Sequence, residues 1–229
     1  MKKLPISLTS TEKTLGWVYW ALQLLAIPVA LQFLAEFFHW PFSEAELNFV
    51  YLAFNFVCLT LIMSQFLGQS AKLGLKQPFL TLRWAGIGYV LNWLFAIAFG
   101  FLVSRLLPQY VNANDAVIGQ MATGNYAITA ISTVLLAPIA EELMYRGLIF
   151  GTIHRRSPVA AYIVSCLVFA SIHVIGYIGV YSPIELVVST LQYIPSGLCL
   201  ALSYARSGNI WAPILMHMAI NQTSMLLMR

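Results

Sequence analysis

Two acids, a cation, two imidazoles and a carboxamide stand inside otherwise apolar stretches of the second half of the chain, and their spacing decides what they can do together. In Ala140-Glu141-Glu142-Leu143-Met144-Tyr145-Arg146-Gly147 the second acid precedes Arg146 by four positions, the favourable helical order for an ion pair, so Arg146 can neutralise Glu142. Glu141 is left without a local cation. A poorly solvated carboxylate in that condition suits general base or acid work near neutral pH. Phe169-Ala170-Ser171-Ile172-His173 sets an aromatic ring and an imidazole one turn apart on one helical face, with Phe169 placed to shape a pocket wall. His217-Met218-Ala219-Ile220-Asn221 repeats that spacing and projects an imidazole and a carboxamide together, two hydrogen-bond donors of the kind a developing oxyanion needs. Tyr145, one turn from Glu141, is within reach of a hydrogen bond to it.

These side chains matter because of where they sit. An ionisable group at mid-bilayer costs at least about 2.5–3.5 kcal/mol on insertion scales, so a use for each is expected. The chain of 229 residues is 60% hydrophobic and 9% charged. A soluble domain needs about 25% charged residues to face water. Apolar runs near the roughly 20 residues that cross a hydrocarbon layer recur along nearly the whole length. The expected architecture is therefore all-α, a polytopic transmembrane helix bundle of seven spans near 15–38, 47–68, 84–107, 126–153, 159–178, 184–206 and 209–228. Short connections after the fourth span make neighbours antiparallel, giving one integral-membrane domain over 1–229 with its catalytic core at 126–229.

Charge placement orients the bundle. Lys2, Lys3, Lys13, Lys72, Lys76, Arg83, Arg155, Arg156 and Arg206 fall on one side of the seven-span arrangement, and only Arg105 and Arg229 on the other, so the N-terminus is expected to be cytoplasmic. The same dispersal makes the net charge of +4 a topology signal rather than a basic stripe, and no nucleic-acid partner is expected. Cys58, Cys166 and Cys199 all lie in apolar segments and read as small core residues. His39 and His154, with Glu36 and Glu185, read as residues of the membrane edge.

Depth decides whether the three patterns can meet. At the helical rise, Glu141 lies roughly 18 Å from the cytoplasmic end of its span, His173 roughly 21 Å, His217 roughly 12 Å and Asn221 roughly 18 Å. They share one layer. Pro138, Pro213, and Pro195 with Gly197 are expected to loosen or kink the helices around it, admitting water and an extended peptide.

In this order on successive apolar helices, Glu-Glu-x-x-x-Arg, Phe-x-x-x-His and His-x-x-x-Asn resemble the CPBP intramembrane endopeptidases, the family of the type II CAAX prenyl proteases and the bacteriocin-immunity Abi proteins. The resemblance covers the C-terminal half and fills every motif position. It implies a glutamate-type endopeptidase without a cofactor, in which Glu141 and His173 activate a water while His217 and Asn221 stabilise the tetrahedral oxyanion. Glu142, Arg146 and Phe169 then support or orient. It further implies membrane lipid and a membrane-embedded or lipid-anchored peptide substrate as partners, and a multi-pass protein of the bacterial cytoplasmic membrane.

Other readings of the same residues stay open. Glu141, His173 and His217 also make a two-His, one-carboxylate set of the kind that holds zinc with an open position for water. A Gly-x-Ser-x-Gly-like nucleophile and a His-Glu-x-x-His pattern are both absent, and Asp115, the only aspartate, has no partner for an aspartyl dyad. Glu142 and Arg146 also suit a brace within their span, and the histidines suit neutral interhelical hydrogen bonds. A non-catalytic immunity or scaffold protein would use the same pocket without hydrolysis, and a proton relay would use the same Glu and His residues, although no inverted repeat supports it.

Overall fold

The structure, a computed structural model, describes residues 4–228; Lys2, Lys3 and Arg229, three of the charges that set the expected orientation, lie outside the described residues. Every named element among the described residues is a helix. In chain order these are α1 (Ser10–Phe37), α2 (Glu44–Ile62), α3 (Ser64–Lys76), α4 (Pro78–Leu106), α5 (Ala113–Ala130), the π-helical segment π1 (Ile131–Leu136), α6 (Ala137–Glu142), the π-helical segment π2 (Leu143–Phe150), α7 (Gly151–His154), α8 (Pro158–Ile175), α9 (Pro183–Ser207) and α10 (Trp211–Leu227).

Six of the helical stretches are long and apolar enough to cross a membrane: α1, α2, α4, the continuous run over 113–154, α8 and α9. Their lipid-facing character shows in what they leave uncovered. Leu25 and Val29 on α1, and Ile97 and Phe101 on α4, each expose more than half of their surface, far more apolar area than a water-facing protein tolerates. The expected seventh span forms as α10, whose 17 residues lie at the short end of the roughly 17–25 that cross the hydrocarbon layer. The chain is thus an all-helical, multi-pass membrane protein.

Local sequence explains the helix starts. Thr9 with Glu12, Ser43 with Glu46 and Ser182 with Glu185 form reciprocal capping boxes, each satisfying two backbone N–H groups that the first turn leaves open. Glu185 is thereby a cap at its membrane edge. Glu12 does more, because its second carboxylate oxygen accepts from the Phe66 backbone N–H at 2.8 Å and ties the start of α3 to the start of α1. The expected span 47–68 is broken at Met63, which leaves α2 and opens the shorter α3.

The run over 113–154 differs from expectation at its outer end. Residues 108–125 lie between the expected third and fourth spans, yet α5 begins within them at Ala113, where the Asn112 side chain accepts from the N–H groups of Asn114 and Asp115. Asn125 then leaves helical geometry (φ −151°, ψ 89°), and its Oδ1 accepts from the Ile128 N–H at 3.2 Å. Asn125 is in effect the cap of the second half, so the site-bearing helix begins where the sequence placed it, at 126, with a separate helical piece before it. Pro138 has no N–H for the Val134 carbonyl, and the turn ahead of it widens into π1. Pro213 behaves otherwise than expected: it lies in the first turn of α10, where a missing N–H costs nothing, and produces no break. His154 is not an edge residue either, being buried with its ring stacked on Phe150 at 5.1 Å.

Candidate active site

The core of the bundle is the stretch from Leu143 to Phe150, buried throughout, and the polar cluster is built against it. Glu141 and Glu142 close α6. Adjacent helical residues point about 100° apart, so the two carboxylates meet different neighbours.

Glu142 and Arg146 have no exposed side-chain surface, and Arg146 donates through one terminal nitrogen to Glu142 Oε1 at 3.0 Å. This is the pair the spacing predicts. The other terminal nitrogen of Arg146 donates to the Gly197 carbonyl of α9 at 3.1 Å, and its guanidinium lies 4.4 Å from the centre of the Phe169 ring. Gly197 lets α9 lie close there: a Cβ would fall 3.2 Å from the Cα of Cys166, a tight contact that α8 or α9 would have to ease by a few tenths of an ångström. A buried guanidinium thus meets a carboxylate, a carbonyl and an aromatic face, the compensation that a desolvated charge needs.

The same Glu142 Oε1 accepts from His217 Nδ1 at 2.9 Å. Because the same Oε1 already accepts from the Arg146 guanidinium, it is the acceptor here too, so Nδ1 carries the proton and the far nitrogen, Nε2, faces the other acid. His173 arrives by a parallel logic from α8. Its Nδ1 lies 2.7 Å from the Phe169 carbonyl oxygen, which can only accept, so Nδ1 carries the proton and Nε2 points away. Both Nε2 atoms converge on one oxygen, Glu141 Oε2, at 3.8 Å from His173 and 3.9 Å from His217. Those gaps are too long for direct hydrogen bonds, and all three side chains line one cavity.

Phe169 is the hub of the aromatic packing. Its ring touches His173 at 4.5 Å, Tyr145 at 5.5 Å and His217 at 5.8 Å between centres, so the pocket-wall expectation describes its position. Tyr145 does not hydrogen-bond Glu141; its ring packs edge-on against Phe169 and its backbone carbonyl accepts from Ser165. Asn221 lines the same cavity as Glu141, His173 and His217, a space of about 200 Å³. One of its amide N–H groups is committed to the Thr133 carbonyl of π1 at 2.8 Å, which leaves the second for a ligand. A larger space of about 400 Å³ shares its Asn221 wall, and one of about 190 Å³ its Glu141 wall, so the polar cluster lies midway along a trench of three adjoining cavities.

Zinc ligands at tetrahedral positions stand about 3.3 Å apart when each bond is about 2.0–2.1 Å long. The separations around Glu141 Oε2 are wider, and among the described residues no three His, Cys, Asp or Glu side chains group as a metal ion requires.

Four contacts escaped the sequence: Glu142 to His217, Arg146 to Gly197, Asn221 to Thr133, and the ring of Tyr193 against His173 at 4.4 Å. Each joins residues on different helices, and no spacing rule reports such a pairing.

No curated protein and no solved structure matches the chain. Residues 123–223, the stretch holding all seven of these motif side chains, match the family model described as type II CAAX prenyl endopeptidase Rce1-like, a family of proteases.

Proposed function

We propose that the chain is an intramembrane endopeptidase that hydrolyses a prenylated or otherwise membrane-held peptide by direct attack of water. The observation that carries this reading is the convergence of two imidazole Nε2 atoms on one carboxylate oxygen, at 3.8 and 3.9 Å, in the wall of a cavity of about 200 Å³ that Asn221 also lines. Glu141 takes a proton from the water as its oxygen adds to the scissile carbonyl, and His173 Nε2, an acceptor in the neutral ring, orients that water. The tetrahedral oxyanion is held by the free N–H of Asn221 and by His217 Nε2–H. The latter donor is present when the ring carries both protons, Nδ1–H directed at Glu142 and Nε2–H at the oxyanion. When the carbon–nitrogen bond breaks, the proton on Glu141 passes to the leaving amine, and the site returns to its starting state.

The family match supports the protease class, and the trench gives an extended chain room to pass on both sides of Glu141. Asn221→Ala lowers kcat by about 10²–10³-fold with a smaller change in KM, because its donor acts on charge that appears only in the transition state. Kinetics on a fluorogenic farnesylated peptide of the Cys-aliphatic-aliphatic-X form check this.

Comparative peptidomics of membranes carrying wild-type or Glu141→Ala protein tests the function without a substrate guess. A peptide product present only with the wild type supports hydrolysis and names the substrate. Identical peptide sets, together with biological complementation by Glu141→Gln, leave a non-catalytic immunity or scaffold protein. Cleavage that survives a chelator removes the zinc variant, whereas loss on chelation with recovery on added zinc replaces the water-only mechanism.

A further inference from the structure

His173 is fixed on three sides. Its Nδ1 is held by the Phe169 carbonyl, one face of its ring lies against Phe169, and the Tyr193 ring is stacked on it at 4.4 Å with only 23° between planes. Tyr193 comes from α9 and lines both the site cavity and the larger space beside it. Its hydroxyl points the other way, into the first turn of α5, where it donates to Asp115 Oδ1 at 3.2 Å and accepts from the Asn114 side-chain amide at 3.0 Å. Tyr177 of the segment after α8 donates to the Asn114 side-chain oxygen, Oδ1, at 3.2 Å and closes the set.

What these bonds secure is the helical piece that lies between the expected third and fourth spans. Residues 113–124 run from the Asn112 cap to the break at Asn125, and Val117, Ile118 and Met121 on it line the cavity of Glu141 and His173. The piece therefore covers the site, is joined to the site-bearing helix at a non-helical residue, and is tied at its far end to Tyr193. That tie and the stacking on His173 belong to one side chain.

We propose that Tyr193 is a positioning residue that couples the seating of residues 113–124 over the cavity to the orientation of His173. The proposal rests on the endopeptidase reading of the site. With the hydroxyl tied to Asp115 and Asn114, the ring is held parallel to the imidazole and Nε2 is kept on Glu141. When the tie is released, residues 113–124 lift at the Asn125 break, the ring is free to turn, and His173 loses the flat surface that fixes its plane. Loading a peptide into the trench and aligning the water-orienting imidazole then become one event.

Two readouts test this, applied to the full-length protein in lipid nanodiscs. Backbone amide exchange reports the seating of 113–124 with no substrate present. Cleavage of the fluorogenic farnesylated peptide reports the alignment. Tyr193→Phe keeps the ring and removes the tie; it is expected to raise exchange in 113–124, to lower kcat by roughly tenfold, and to leave KM within about twofold. Asp115→Leu is expected to do the same, Asp115→Asn to retain wild-type behaviour because its amide oxygen still accepts, and the Tyr193→Phe, Asp115→Leu double variant to be no worse than either single one. Tyr193→Leu, which removes the stacked ring, is expected to lower kcat by roughly 10²-fold.

Wild-type exchange and wild-type kcat in Tyr193→Phe and Asp115→Leu overturn the proposal. So do strictly additive losses in the double variant, or a rise in exchange with no change in kcat. If Tyr193→Leu fails to fold, the Asp115 variants carry the test, since their substitution lies at the outer end of the bundle. A wild-type protein that cleaves nothing overturns the endopeptidase reading and the positioning role with it, while the exchange measurement still reports whether the tie holds.

Discussion

Glu141→Gln lowers kcat for peptide cleavage by roughly a thousandfold, and the protein still inserts and folds. The substitution keeps the size and shape of the side chain and removes the negative charge that accepts the proton. It removes little structure, because Glu141 Oε2 has no hydrogen-bond partner among the described residues and about a quarter of the side chain is open to the cavity. The measurement is steady-state cleavage beside wild type, with helical content and thermal midpoint recorded on the same preparations. A variant with wild-type turnover removes Glu141 from proton transfer. A variant that unfolds assigns it to the frame.

The largest effect on stability is expected one residue further on. Arg146→Leu leaves Glu142 fully buried and deprived of the guanidinium 3.0 Å away, and costs about 3–5 kcal/mol, because the penalty of an uncompensated buried charge exceeds the attraction that was lost. The Gly197 carbonyl and the Phe169 ring lose their cationic partner in the same substitution. Glu142→Leu is expected to destabilise by a similar amount for the converse reason. The double variant separates the roles: with both charges gone it recovers much of the stability, yet it stays inactive, because His217 Nδ1 has lost the carboxylate that sets its tautomer. Thermal midpoints of the three variants against kcat on the farnesylated peptide check this. A stable and active Arg146→Leu contradicts it.

Helical spacing made the within-helix part of the site legible, and depth counting made its existence legible. Glu142 and Arg146, four apart, do pair, and Phe169 and His173 do share a face. Counting rises along three helices brought Glu141, His173 and His217 to one layer, and the folded chain holds them within 4 Å. Spacing says nothing of rotation about each helix axis, which is why the second role of Glu142, as the acid behind His217, was invisible until the helices were packed. The same limit hid the covering segment: Asn112, Asn114 and Asp115 look like loop residues, and it takes a capped first turn and partners on α9 and in the segment after α8 to make them the start of a helix. The multi-pass helical character was legible because apolar runs that must face lipid cannot be disguised. The shortness of α10 was not, since Asn209 and Ile210, counted in the seventh run, precede the helix.

The central claim is that water itself, activated beside Glu141, cleaves the peptide. Its most direct test is mass analysis of the fragment that carries the scissile carbonyl when the purified protein cleaves the farnesylated peptide in heavy-oxygen water with hydroxylamine and a chelator present. The account predicts a free acid carrying one labelled oxygen and no hydroxamate, at a rate the additives do not change. A hydroxamate product, which only a covalent acyl-protein intermediate would yield, or cleavage that the chelator stops, contradicts it.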